Sequence, residues 1–104
     1  MKLIQKLSDM IEEEIHDAEK YAKCALELKE DRPLLADAFY KLSMEELVHM
    51  NILQTNVVNL IDEYRKTKGE PPEGMMTIYK IFHQKHIENT AIVKGMLSLY
   101  KGDK

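Results

Sequence analysis

The residues of this chain best suited to chemistry are a glutamate and a histidine three positions apart, Glu46 and His49, in the run Glu46-Leu47-Val48-His49. On a helix, side chains at i and i+3 share a face, so this spacing aims a carboxylate and an imidazole at one point. That pair is half of a site for a divalent cation such as iron, manganese or zinc, which accept mixed carboxylate and imidazole ligands. Taken alone it is equally a solvated helix edge that happens to carry a histidine. The elements that position the pair separate these readings.

Two stretches punctuate the chain. In Glu30-Asp31-Arg32-Pro33, Asp31 is placed to cap a helix and Pro33 fits a first helical turn. The second, Lys68-Gly69-Glu70-Pro71-Pro72-Glu73-Gly74, reads as a loop. They leave helices over about 3–30, 32–67 and 75–101 in a single domain, 1–104. Each helix carries a stripe at alternating spacings of four and three. The first runs Leu7, Ile11, Glu14, Ala18, Tyr21, Ala25, Leu28; the second Phe39, Leu42, Glu46, His49, Leu53, Asn56, Leu60. The third runs Met75, Tyr79, Phe82, His86, Asn89, Val93, Met96, Tyr100. These stripes are expected to be the faces that meet. Glu14, Glu46 and His49 interrupt them where leucine would be ordinary.

The short first turn makes the first two helices an antiparallel hairpin. In such a hairpin, residues at one height have numbers that average to the turn. Glu14 meets that condition with both Glu46 and His49, about the turn read independently from Asp31 and Pro33. At a rise of about 1.5 Å per residue, a two-residue error displaces them by only ~3 Å. Two adjacent buried carboxylates are costly unless a proton or a cation relieves them, and a divalent metal does so. One hairpin offers three ligands, whereas two related by a two-fold axis offer four glutamates and two histidines. That is the ligand set of a carboxylate-bridged di-iron bundle, so a homodimer at minimum is expected. Folded straight back, the third helix places His86 beside Asn56, roughly 10 Å along the axis from the cluster, so it is a ligand only if that helix is shifted.

Other titratable groups lie on or beside these stripes. Asp17 lies one turn beyond Glu14 as a supporting carboxylate or a surface charge, and Glu45 replaces Glu46 if the seam shifts by one residue. Glu13 and His16 repeat the i, i+3 spacing but leave the stripe, which favours a solvated face. His83 and His86 form a further i, i+3 pair, read as a peripheral metal pair or as ordinary surface and core histidines. The single cysteine, Cys24, is read as an inert thiol, and the 7 methionines as packing.

Composition bounds what remains. The chain of 104 residues holds 4 glycines, 3 prolines and no tryptophan, with abundant Glu, Lys, Leu and Ile, which points to an all-helical fold. A formal charge of −3 supplies no basic patch for nucleic acid. With one cysteine there is no internal disulfide, and neither a signal peptide nor a membrane-spanning run is read, so a cytoplasmic protein is expected.

The run Glu14-Ile15-His16-Asp17-Ala18-Glu19-Lys20-Tyr21, a glutamate with a tyrosine seven positions on, together with Glu46-Leu47-Val48-His49, resembles the ferritin-like superfamily over about two thirds of the chain. Ferritins and rubrerythrins carry four such helices in one chain. This sequence carries half, which is similar to the encapsulated ferritins, whose half-bundles dimerise into a four-helix bundle with the iron site at the interface. The resemblance implies a di-iron ferroxidase for iron storage or detoxification, with Glu14, Glu46 and His49 binding iron and Tyr21 hydrogen-bonding near it. Zinc, manganese or calcium would substitute in the same ligands. Only Lys101-Gly102-Asp103-Lys104 follows the third helix, with no clear counterpart of the extended docking tail of those cargo proteins, so a free-standing dimer or larger even-numbered ring is expected at least as much as a cargo held by an encapsulating shell protein. Two rivals stand beside this reading. One is rubrerythrin-like peroxide removal at the same site, against which the lack of a Cys-x-x-Cys electron-delivery module counts. The other is a non-catalytic helical dimerisation or adaptor module.

Overall fold

The computed structural model describes residues 2–102, so the Asp103-Lys104 end of the segment read above as lacking a docking tail lies outside the described residues. The described chain is all-helical: α1 (Lys2–Leu28), α2 (Pro33–Lys68) and α3 (Glu73–Lys101). The first reversal is where it was expected, but its cap is not. Arg32, rather than Asp31, occupies the N-cap position of α2 and makes no side-chain capping bond. Pro33 still opens the helix, because its missing N–H falls where no intrahelical partner exists. The turn instead continues the backbone ladder, with the Arg32 N–H donating to the Leu28 carbonyl at 2.8 Å and the Ala36 N–H to the Arg32 carbonyl at 2.9 Å.

At the second reversal Gly69 takes a φ of 84° and donates its N–H to the Arg65 carbonyl. That positive φ is open to glycine and strained for a residue with a Cβ. Arg65, Lys66 and Lys68 lie in the last turn of α2, where cations offset the negative end of the helix dipole. Gly102 closes α3 in the left-handed conformation, with its N–H donated to the Leu99 carbonyl at 3.1 Å.

The 36 residues of α2 span about 54 Å at the helical rise. The molecule measures 55 × 19 × 18 Å, so α2 sets its length and α1 and α3 lie along it. The hairpin is pinned near its closed end by small residues. Ala18, Ala22, Ala25 and Ala36 are buried, which lets the α1 and α2 backbones approach closely. There the buried Ser43 hydroxyl donates to the Ala18 carbonyl across the helices at 2.7 Å. Tyr21 and Phe39 stack with ring centroids 6.0 Å apart. The midpoints of both pairs fall at the turn, so the expected height relation between α1 and α2 is the observed one.

The expected faces need correction. The buried residues of α1 are Ile4, Ser8, Ile11, Ile15, Ala18, Ala22 and Ala25, and those of α2 are Ala36, Ser43, Leu47, Met50, Val57 and Ile61. The α2 stripe expected to meet α1 is therefore rotated towards the side of the hairpin: Leu42 is 38% exposed and Phe39, Leu53 and Leu60 are half-buried. The physical reason is that α2 touches two neighbours. Its apolar residues cover a wide arc, and a stripe of helical period drawn through one edge of that arc fits as well as one drawn through its centre.

α3 runs back parallel to α1 and covers one of the two grooves of the hairpin. Tyr100 stacks on Tyr40 at 5.0 Å, and the Lys29 ammonium donates to the Tyr100 carbonyl at 2.6 Å. Further along, the Gln54 amide donates to the Tyr79 hydroxyl at 2.9 Å. The core cluster formed by the helices is continuous from Ile4 through Ile11, Ile15 and Leu47 to Val93 and Leu97. No helix among the described residues is long and apolar enough to cross a membrane.

Candidate metal centre

The groove between α1 and α2 that α3 leaves open holds the three polar residues that interrupt the stripes. Glu14 projects from the middle of α1, and Glu46 and His49 from one face of α2 a single turn apart. One ligand atom from each of the three lies within 4.8 Å of the others, the one group of three such side chains among the described residues. The His49 Nδ1 is 3.3 Å from the Glu14 Oε2 and 3.8 Å from the Glu46 Oε1. The shorter contact joins the helices across the groove, while the longer lies within α2.

Burial grades across the cluster. The Glu46 side chain is 18% exposed, that of Glu14 26% and that of His49 52%. The carboxylates line the floor of the groove and the imidazole lies at its lip. This crowding raises the pKa of Glu46 from 4.5 to about 7, first through its hydrogen bond with Glu14, then through burial and the Glu14 charge, with Asp17 adding a smaller push and His49 opposing. The two glutamates thus hold a proton between them to a higher pH than a free carboxylate would. A divalent cation would displace that proton and take the same place, with both carboxylates and the imidazole as ligands. The donor set fits such an ion in chemistry, and in number it fills only half a bimetallic site.

Of the neighbouring candidates, Asp17 is close enough to act on Glu46 through its charge but contributes no ligand atom to the group. Glu45 is exposed and outside it, so the one-residue shift of seam does not occur. Tyr21 lies on the same side of α1 a little over one turn past Asp17, stacked on Phe39.

His86 is not brought to the cluster. It is buried on the inner face of α3 and lines a cavity with Met50, Gln54 and His83, about a turn of α2 nearer the hairpin end than the expected position beside Asn56. Burial pushes its pKa down from 6.5, with the positive ends of His83 and Lys85 adding to the effect and Glu12 opposing it. Two contacts escaped the sequence reading, the Ser43 hydroxyl to Ala18 and the Gln54 amide to Tyr79. Ser43 carried a weak signal, since a small polar residue at core spacing between Ala36 and Leu47 marks a close helix approach. Gln54 carried none, because its partner depends on how far α3 slides. Compared with protein-family models, curated proteins and solved structures, the chain matches none.

Proposed function

We propose that two copies of this chain pair through the open α1/α2 groove and together form a centre that takes Fe(II) as its substrate and oxidises it to Fe(III). The observation that carries the reading is the convergence of Glu14, Glu46 and His49 within 4.8 Å at a solvent-open groove, with a proton held where a cation would go. The resemblance to the ferritin-like superfamily supplies the identity of the metal. The dimer is supported by what flanks the cluster. Leu35 and Leu42 are exposed on α2, and Leu7, Leu53 and Leu60 are half-buried beside them, so an apolar strip frames the carboxylates on both sides. A two-fold axis through that strip would cover it with itself and bring the second ligand set opposite the first.

Each residue then has a role. Glu14 and Glu46 bind the metal and neutralise it, and their carboxylates can bind through one oxygen, through both, or bridge. His49 adds a neutral nitrogen ligand from the lip of the groove. Asp17 tunes the proton affinity of Glu46, and Tyr21, fixed against Phe39, closes the apolar wall. Oxidation of two Fe(II) ions releases two electrons, which reduce dioxygen, with two protons, to hydrogen peroxide. Carboxylate ligands favour this direction because they stabilise the higher charge of Fe(III).

The many exposed apolar side chains, among them Val48, Ile52, Ile81 and Ile92, also suit a helical association module in which any metal is structural. Anaerobic Fe(II) titration, followed by oxygen exposure with absorbance and mass recorded, separates the two. Saturation at about one iron per chain on an even-numbered assembly, with rapid oxidation, is the expected result. Binding without oxidation, or no binding, would leave the association module standing.

A further inference from the structure

The face of α3 that points away from the hairpin takes no part in the core. The inward side carries His86, Thr90, Val93 and Leu97. On the outward side Ile78, Ile81, Ile92 and Leu99 are each more than half exposed. They belong to one helical stripe, completed at alternating spacings of four and three by Gly74, Lys85, Glu88 and Gly95, which are also exposed. That spacing is the seam of a helix that pairs with another helix. Among the described residues, nothing covers it.

The stripe is complementary to its own reverse. Turned end for end about the point between His86 and Ile87, Ile81 falls on Ile92, Lys85 on Glu88, Ile78 on Gly95 and Leu99 on Gly74. Large apolar side chains then meet each other or a glycine, and a cation meets an anion. The match extends from Gly74 to Leu99, roughly 38 Å of helix.

Two local features find no reason within a single chain. Gly95 lies inside α3, where glycine is less favourable than alanine. Yet a Cβ at Gly95 would meet nothing within 4 Å, so the chain's own packing does not require its absence. Lys85 and Glu88, at the centre of the stripe, have no ion-pair partner among the described residues; the Glu88 Oε1 accepts from the Gln84 amide at 3.3 Å.

From these observations we infer that the outward face of α3 docks on α3 of a second copy of this chain, antiparallel about a two-fold axis between His86 and Ile87. Lys85 of each copy then pairs with Glu88 of the other, and Ile78 of each fills the space over Gly95. A parallel arrangement is disfavoured, because it sets Lys85 against Lys85, Glu88 against Glu88 and Gly95 against Gly95. The central charges therefore fix direction and register, as polar seam residues do in coiled coils. Gln84 and Asn89, which flank the centre on either side, are uncharged and bring no like charges together. This contact lies on a different face from the α1/α2 groove and does not rest on the iron reading. Combined with the pairing proposed for that groove, two distinct two-fold axes would join copies in even numbers.

The test is cross-linking of metal-free full chains in which Cys24→Ser removes the native thiol. Chains carrying Ile81→Cys are mixed with chains carrying Ile92→Cys and treated with a short bis-maleimide. The mixture should cross-link and each variant alone should not, because identical positions lie roughly 16 Å apart along the pair. Light scattering over a concentration series of Leu42→Glu chains, whose α1/α2 groove is silenced, gives the strength of the contact. There Ile92→Glu should weaken self-association at least ~100-fold. Lys85→Glu should weaken it about tenfold, and adding Glu88→Lys should restore it to within about threefold. Cross-linking of either cysteine variant with itself as readily as in the mixture would overturn the proposal. So would Leu42→Glu chains that stay monomeric at every concentration, self-association unaffected by Ile92→Glu, or a charge swap as weak as Lys85→Glu alone.

Discussion

Two grooves flank the long helix α2, and each carries histidine, yet the charges around those histidines differ. On the open side, His49 is half exposed and faces two carboxylates, one of which holds a proton up to about pH 7. On the covered side, His83 and His86 project from α3 beside amides, a threonine and a lysine, with no acid in the lining among the described residues. The first groove gathers negative charge, with Glu14, Glu46 and Asp17 acting on one another. The second presents hydrogen-bonding side chains without an acid among its described lining residues. The comparison teaches that an i, i+3 pair containing histidine acquires its meaning from the charge across the groove rather than from its spacing.

The sharpest way to break this contrast is to exchange the sides in activity measurements. Glu46→Ala or His49→Ala should lower the rate of Fe(II) oxidation by at least ~100-fold with helicity retained, on the principle that removing a ligand removes the site. His86→Ala should leave that rate within about twofold, since the residue lies in the other groove. Comparable losses from both sides would dissolve the distinction.

A second contrast separates the core from the open apolar strip. Ile11 is 1% exposed, and Ile11→Ala should cost about 3 kcal/mol in thermal or urea unfolding. Leu42, 38% exposed, is on the strip that the dimer would cover. With the α3 face silenced by Ile92→Glu, Leu42→Glu should therefore leave the helicity of the subunit intact while shifting the mass seen by light scattering to that of a monomer. A dimer that survives both changes would place the interface elsewhere.

The proton in the open groove gives a third test. Because the folded chain holds Glu46 protonated up to about pH 7 and the unfolded chain only to about 4.5, protonation favours the fold. The metal-free protein should be most stable, as far as this group is concerned, below pH 4.5. It should lose that contribution progressively as pH rises from 4.5 to about 7. Glu46→Gln should flatten that slope. Metal affinity should run the other way, rising with pH over the same window as the competing proton leaves. The smallest expected effect is at the hairpin register: Ser43→Ala removes the hydroxyl bonded to the Ala18 carbonyl and should cost about 1 kcal/mol.

Much of this was legible in residue order. Gly69 and the adjacent prolines located the second reversal, and Pro33 the first. The level relation between Glu14, Glu46 and His49 followed from the turn alone, because the rise per residue is the same in every α-helix. Capping was read wrongly at Asp31, since Pro33 can open a helix without a side-chain cap when the preceding turn continues the backbone ladder.

Sequence by itself thus determined how far along the molecule each group lies: three long helices, their reversals, and the height at which the acids and His49 meet. Tertiary structure decided the angle about each axis. It set which groove α3 fills, and with that it left the carboxylates at an open groove and buried His86. The reason is geometric. Height depends on a fixed rise and a countable turn, whereas rotation depends on which part of a wide apolar arc finds a neighbour, and in α2 that arc serves two helices at once.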